Sequence, residues 1–378
     1  MNWQMFKDGD TETLDSWNQS ATACLRKVSP DMNNVELILP AAEMAKFALT
    51  RNIDLMGQIR VLFRDGEERK FDIPMPYHGV FVAHGGDAEN KDAPQRLVWS
   101  SWFGEMPGLR KVRVANGEEV LRMGLPDGQF ILVDEKKLSK FDLNEIAFVR
   151  WWAKEFPGVY DKGLLHVLAK YEKGFGGEKT RRAEFCNDVR DWAEKLEGKL
   201  KILDADDLDH RMAVTFPIWL RNRLLRLYYR FFVLQDGTRD SWEELARALV
   251  PVPSIGRQRY TGFDVIRPDN ILEAAGRICG IKRFKVSRRY VGFLPAAFRQ
   301  NHPSFEGRIC PIESPESEMV GIQLQLARGA WVDENGQINA KSGRLGEAAI
   351  PSRLPVRWCT SLIPFLYHND DARSMMGA

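Results

Sequence analysis

Residues 302–327 read "HPSFEGRICPIESPESEMVGIQLQLA", and this stretch decides how the chain is read. It holds Pro303, Pro311 and Pro315, four glutamates and one cysteine, with almost no hydrophobic period. Each proline fixes φ and drives the residue before it into extended geometry. Gly307 and Gly321 open backbone conformations that other residues avoid. The pattern predicts a stiff, shaped loop framework that feeds a short strand or helix. Such segments serve as binding surfaces or as well-packed connectors, and the residue pattern leaves both open.

Working outward, 378 residues suffice for two or three domains with a substantial core. With 44% hydrophobic and 28% charged residues, the composition is that of an ordinary globular protein rather than a disordered or fibrous one. Nothing resembles a signal peptide, and no apolar run approaches the roughly 18 residues of a membrane span. The five cysteines are scattered without a CxxC pair, which argues against a disulfide framework or zinc site and for a reducing, intracellular setting. The six histidines are equally scattered, and HExxH is absent from the sequence.

Net charge is only +2, yet Arg257 to Arg299 holds ten Lys/Arg against three Asp/Glu. Phe263, Phe284, Tyr290, Phe293 and Phe298 are interleaved with those charges. Guanidiniums neutralise phosphates and rings stack on bases, so the mixture suits nucleic acid. A solvated basic face would read the same way.

Hydrophobic patterning divides the chain into a β-rich opening, a helical middle and an irregular basic end. "GQIRVLFRDGEERKFDIPM" (57–75) alternates Ile59, Val61 and Phe63 with polar residues and turns at Asp65-Gly66, a hairpin signal. "VRVANGEEVLRM" (112–123) repeats the pattern around Asn116-Gly117, and strand-like "QFILVD" follows. Three- and four-residue apolar spacing predicts helices over 143–156, 162–171, 179–198 and 216–233. A further hairpin signal stands at Asn335-Gly336. "GFGGEKT" (174–180) mimics a phosphate loop, but Glu178 intrudes before the Lys-Thr pair and a helix precedes it. "DADDLDH" (204–210) lacks the glycine and distal glutamate of a calcium loop, and its carboxylates are read as leading into a helix after 211. No Ser/His/Asp or Cys/His pattern stands out, so autonomous hydrolysis finds no support.

The opening stretch resembles the β subunit of multisubunit, DNA-dependent RNA polymerases, whose pattern there runs H-P-T-H-Y-G-R-x-C-P-I-E-T-P-E-G-x-x-I-G-L. His302, Pro303, Gly307, Arg308, Cys310, Pro311, Ile312, Glu313, Pro315, Glu316 and Gly321 match, with Ser304, Ser314 and Ile322 as close substitutions. "SLIPFLYHNDDARSMMGA" (361–378) resembles the family's S-L-I-P-F-L-E-H-D-D-A-N-R-A-L-M-G-A. "DDLDHRMAVTFPIWLRNRLLRL" (206–227) is similar to its D-D-I-D-H segment and the helix after it. "GVFVAHGG…RLVWSSWFGEMPG" (79–108) resembles G-x-F-x-I-N-G-x-E-R-V-I-V-S-Q-x-x-R-S-P-G, stretched by an insertion.

The resemblance implies a multi-domain α+β fold with protrusion, lobe and fork. It puts the first part of the protrusion at 1–115, a reduced lobe at 116–200, the second part of the protrusion at 201–285, and the start of the fork at 286–378. It further implies the N-terminal half of a β subunit split between polypeptides, as in some large-phage and organellar enzymes, or else a truncated one. Such a subunit of a nucleotidyltransferase would be inactive alone. Mg2+ would be held by a β′-like subunit, and none by this chain. The implied partners are a C-terminal β-like polypeptide, β′-like subunits, an initiation factor, template DNA, the RNA–DNA hybrid and NTPs, with no membrane. The implied location is the cytoplasm of a bacterium or phage-infected host, or a virion. A non-catalytic β-like decoy that binds polymerase subunits or initiation factors is the competing reading.

Residue by residue, Arg373 aligns with the arginine that faces the nucleotide triphosphate, where a guanidinium grips phosphate oxygens with two parallel bonds. An ion pair with Asp370 or Asp371 is its alternative. Arg288 and Arg289 match the R-R beside the hybrid, and Arg299 and Arg308 are further candidates for the nucleic-acid channel. Glu313, Pro315, Glu316, His368 and Asp370 are given loop-positioning roles. The two glutamates could equally satisfy Arg308 and nearby backbone N–H groups. The resemblance also predicts exposed apolar surface at Leu362, Ile363, Phe365 and Leu366, and a rifampicin-insensitive stretch at 278–295, where the family's Gln, Asp and His groups are lost.

Overall fold

A computed structural model of the chain describes residues 32–38, 57–63, 65–73, 96–113, 117–134, 143–172, 179–196, 200, 202–204, 206–249, 263–266, 280–283, 294, 296–315, 318–333, 335–340, 356–357 and 360–370. These residues form several small sheets and five α-helices, a mixed α and β architecture. The chain divides into two units, the first of 1–102, 213–301 and 305–378, the second of 103–212 and 302–304.

In the first unit, β1 (Met32–Ile38), β2 (Gly57–Phe63) and β3 (Glu68–Ile73) make an antiparallel sheet in chain order. The period-2 alternation in β2 sends Ile59, Val61 and Phe63 to the buried side. The predicted turn forms at Asp65-Gly66, where Gly66 has φ +87° and the Asp65 carboxylate accepts from Glu67 N at 3.0 Å. Strands β4 (Arg96–Trp99) and β11 (Phe263–Ile266) pair antiparallel.

Two helices complete this core. The first, α4 (Phe216–Tyr228), has Pro217 in its first turn and buries Ile218, Leu220, Leu224 and Leu225. The second, α5 (Ser241–Leu249), buries Trp242, Leu245, Ala246 and Leu249, an i, i+3, i+4, i+7 stripe. Arg223 of α4 donates to the Ala248 carbonyl at 2.9 Å, satisfying one of the carbonyls orphaned at the end of α5. The predicted helix over 216–233 is α-helical only to Tyr228. A π-helical turn follows at Tyr229–Val233, with Leu234 N donating to Tyr229 O at 3.0 Å. The wider turn carries Phe232 between Tyr228 and Trp242, with ring centroids 4.9 and 4.8 Å away.

The second unit holds β6 (Gly108–Arg113), β7 (Glu119–Gly124), β8 (Phe130–Leu132) and β9 (Ile202–Asp204) in the order β8–β7–β6–β9. The β6–β7 hairpin is the one predicted from Asn116-Gly117, and β9 joins β6 in parallel. The helices α1 (Leu143–Glu155), α2 (Lys162–Lys170) and α3 (Lys179–Lys195) fall where the apolar spacing predicts them. Glu105 is 3% exposed and bonds Arg122 at 2.8 Å, with Arg211 at 3.5 Å, so one buried carboxylate serves two guanidiniums.

The acidic run 204–210 departs from its expectation. Asp207 caps a 3-10 turn at Leu208–His210 by accepting from Asp209 N at 3.0 Å, and Asp204 accepts from Asp206 N at 3.0 Å. The chain then extends as β10 (Arg211–Val214), and a helix begins only at Phe216. The carboxylates cap their own turns instead of a helix N-terminus.

Candidate functional site

The 302–327 loop is held by an isolated antiparallel bridge, Ile309 to Leu326, and by one short sheet strand near its end. A 3-10 turn at Pro303–Phe305 ends where the amides of Arg308 and Ile309 both donate to Phe305 O at 2.9 Å, with Gly307 at φ +70° between. Residues 308–310 then zip antiparallel onto 325–327: Cys310 N donates to Gln325 O at 2.8 Å, and Ala327 N to Arg308 O at 2.9 Å. Strand β13 (Gln323–Gln325) lies antiparallel to β12 (Gly280–Lys282), which runs parallel to the start of β5 (Ser101–Glu105). The predicted framework feeding a short strand is therefore present. Next come β14 (Ala330–Val332) and β15 (Ile338–Ala340), the hairpin signalled by Asn335-Gly336.

Side chains lock the turns of this framework. Ser314 donates its hydroxyl to Gln323 O at 3.2 Å and accepts from Gly321 N at 2.8 Å. Arg299 sends Nη1 to the carbonyls of Glu318 and Val320 at 2.7 and 2.8 Å. Arg283 is 2% exposed, donates to Gln300 O at 2.7 Å and lies over the Phe305 ring. The carboxylate of Glu313 faces Arg357 and accepts from Thr360 Oγ1 at 3.1 Å. Cys310, Val356 and Leu366 form the apolar cluster beside that pair, with Ile312 and Ile363 packed on it.

His302–Ser304 groups with the second unit. Nδ1 of His302 accepts from Ser304 N at 3.2 Å and meets the Ser304 hydroxyl at 2.7 Å, and Nε2 lies 3.6 Å from Asp204. Ser304 Oγ also accepts from Leu208 N at 3.0 Å. The nearby His210 has its pKa lowered, chiefly by burial, against the pull of Asp207.

The family model described as RNA polymerase Rpb2, domain 3, matches residues 294–332, the span just described. The DNA-directed RNA polymerase subunit beta of Prochlorococcus marinus (strain AS9601) is 28% identical over 75% of this chain and 36% of its own length. That of Synechococcus elongatus (strain ATCC 33912 / PCC 7942 / FACHB-805) is 28% identical over 54% of this chain and 20% of its own. A DNA-directed RNA polymerase II subunit RPB2 homolog of Frog virus 3 (isolate Goorha) is 26% identical over 46% and 16%. Over these spans the chain is similar to β subunits of DNA-directed RNA polymerases. It spans about a third or less of the length of these relatives.

Arg299, Arg308, Glu313 and Pro315 belong to the one framework. His368, the last residue of the 3-10 turn Leu366–His368, and Asp370 beyond it are exposed. Arg288, Arg289, Glu316 and Arg373 lie outside the described residues. The partner found for Glu313 is Arg357, together with Thr360, and sequence reasoning missed both. The signal was a single arginine among apolar residues in "LPVRWCT" (354–360), a setting in which a guanidinium needs a carboxylate. Of the four residues expected to be exposed, Leu362 and Phe365 are 52% and 79% exposed. Leu366 is buried, and Ile363 packs on the cluster. Phe365 sits at φ +54°, and the left-handed turn there points its ring outward while Leu366 turns inward.

Among the described residues, no group of three or more His, Cys, Asp or Glu is arranged to hold a metal ion. The acidic run at 204–209 turns its carboxylates to its own backbone amides and to Arg211 and His302. Among the described residues no helix is long and apolar enough to cross a membrane.

Proposed function

We propose that this chain is the N-terminal portion of the β-like subunit of a multisubunit, DNA-directed RNA polymerase, forming part of the nucleic-acid channel and of the wall that faces the incoming nucleotide. Protrusion, reduced lobe and fork take the boundaries implied by the resemblance, with a C-terminal β-like polypeptide completing the fork. A β′-like subunit holds the Mg2+ ions, which stabilise the attacking and leaving oxygens of nucleotidyl transfer. An initiation factor, template DNA, the hybrid and NTPs are the remaining partners.

Within that assembly Arg373 grips the triphosphate, and Arg288, Arg289, Arg299 and Arg308 face nucleic acid. Glu313, Pro315, Glu316, His368 and Asp370 keep the loop and its neighbour in place. The observation that carries the reading is the family match over 294–332, which falls on a framework stiff enough to hold a channel wall.

The test is to tag the full chain, purify the complex it forms in its own host, and measure template-directed elongation of a primed RNA. Elongation is expected from the complex and not from the chain alone. Arg373→Ala removes a charged hydrogen bond to phosphate and raises the nucleotide KM about 10- to 150-fold, with DNA binding near normal. Elongation by the chain alone, or an unchanged KM, overturns the corresponding part of the reading.

A further inference from the structure

The hairpin of β14 and β15 presents an exposed indole on a braced mount. Trp331 pairs with Asn339, and Val332 with Ile338. Side chains alternate along a strand, so Trp331 lies on the face opposite Ile338, which is 3% exposed. Trp331 itself is 46% exposed. The start of the hairpin is held where Arg328 N donates to Val356 O at 3.0 Å, and its tip where Ala213 N donates to Gly336 O at 2.6 Å. The Asp333 carboxylate closes the tip, accepting from Asn335 N at 2.9 Å, Gln337 N at 2.8 Å and Asn339 Nδ2 at 3.2 Å. A ring carried on such a strand loses little freedom when a ligand covers it.

Three positions before the ring stands Arg328. It occupies the second place of a β-turn in which Ala330 N donates to Ala327 O at 3.1 Å and Gly329, in third place, has φ +85°. Arg328 is exposed, and among the described residues its guanidinium meets no carboxylate, carbonyl or ring. Other arginines of the first unit are committed: Arg239 and Arg357 to carboxylates, Arg223, Arg283 and Arg299 to carbonyls. Single exposed apolar residues are common on protein surfaces, but this one has an uncommitted cation on the turn that leads into its strand.

A ring face and a neighbouring guanidinium suit single-stranded nucleic acid, whose bases stack on aromatics and whose phosphates attract cations. A duplex keeps its base faces inside its own stack. A protein hot spot needs surrounding contacts that exclude water, yet the other exposed residues described over 328–340 are Arg328, Gly329 and Asn335, none with an apolar side chain. We propose that Trp331 and Arg328 form a contact for single-stranded nucleic acid, the ring stacking on an unpaired base and the guanidinium holding an adjoining phosphate. The contact rests on the channel reading above and adds two residues to it.

The test uses the full chain and the purified complex. The probe is single-stranded oligothymidylate carrying 5-iodouracil, with the same strand annealed to its complement as control. Irradiation should cross-link the single strand to Trp331, located by mass spectrometry, and the duplex far less. In binding to the full chain, W331A should weaken the single strand about 5- to 150-fold, and W331F should recover part of the loss. R328Q should reduce the slope of log affinity against log salt by about 0.7, the value for one phosphate of a single strand. Parental affinity in W331A, an unchanged salt slope in R328Q, or equal cross-linking of the duplex would each overturn the contact. So would loss of a subunit from the W331A complex with oligonucleotide binding unchanged, which would mark a protein interface. An elongating complex with no cross-link at Trp331 overturns the contact and leaves the polymerase reading standing. A complex that cross-links there but does not elongate RNA supports the contact and counts against that reading.

Discussion

Gly321→Ala is the most direct probe of the loop framework. Gly321 sits at φ +69°, where a non-glycine residue costs about 1–2 kcal/mol. Space is a second obstacle, since an added Cβ would lie 2.4 Å from the Arg299 carbonyl oxygen and 2.9 Å from the Arg299 Cβ. Both are close to backbone, so relief requires moving the chain, an overpacking cost of about 1–3 kcal/mol. The two together predict a local loss of about 2–5 kcal/mol. Gly66→Ala supplies the control: its φ is +87°, but nothing lies within 4 Å of the added Cβ, so only the conformational cost applies. Hydrogen-exchange mass spectrometry on the full chain reads both. Amides over 319–326 in Gly321→Ala should open far more readily than those over 65–68 in Gly66→Ala. Equal losses at the two sites would mean that Gly321 is needed for its φ alone and that Arg299 is not seated against it.

Three other outcomes are expected. Glu105→Gln leaves Arg122 and Arg211 without their shared buried charge and should destabilise the second unit by about 3–5 kcal/mol in urea unfolding; a loss below about 1 kcal/mol would refute the hub. Burial raises the pKa of Tyr160, whose hydroxyl donates to Gly124 O at 2.6 Å. Its stabilising contribution is therefore complete below the unfolded value near 10 and shrinks as pH climbs above it, because only the unfolded tyrosine ionises there. Tyr160→Phe should flatten that alkaline decline by up to about 1.4 kcal/mol per pH unit, and an unaltered slope between pH 10 and 11.5 would count against it. If the chain works as proposed and 278–295 aligns as the resemblance implies, rifampicin should not inhibit transcription by the complex at submicromolar concentration, since each lost polar partner costs the drug about 1–3 kcal/mol.

Many of the regular elements were legible because their signals are local, although the helix Ser241–Leu249 was not predicted. Alternation at Ile59, Val61 and Phe63 with Asp65-Gly66 specifies a hairpin without reference to anything distant. The helices of the second unit are specified by apolar spacing in the same way. The other misses share a different cause. At 204–210 the carboxylates had two local uses, and the choice depended on a strand that delayed the helix to Phe216. At Glu313 the partner lies 44 positions away, and the nearer Arg308 was the natural guess. Leu366 and Phe365 are adjacent and similar in hydrophobicity, and only the left-handed backbone at Phe365 decides which is buried.

The arginines show why charge composition misleads in a fold of irregular loops. The window 257–299 looks like a phosphate-binding surface, but its two described arginines both serve the chain's own backbone. Arg283 reaches the Gln300 carbonyl from a nearly inaccessible position, and Arg299 holds two carbonyls of the 318–321 turn. Arg110 does the same for Met106 and His210, and Arg223 for Ala248. The cause is the hydrogen-bond deficit of such a fold: loops without regular ladders leave carbonyls unpaired, and one guanidinium offers five donors in a planar fork. Burial lowers the pKa of Arg110 and Arg223. The deficit is thus met with charge that desolvation makes expensive, and the carbonyl dipoles offset that cost. A phosphate brought to Arg299 would meet a guanidinium already fixed by Glu318 and Val320, oriented before any ligand arrives. In this chain, then, an arginine's count toward a nucleic-acid surface depends first on which carbonyls it already holds.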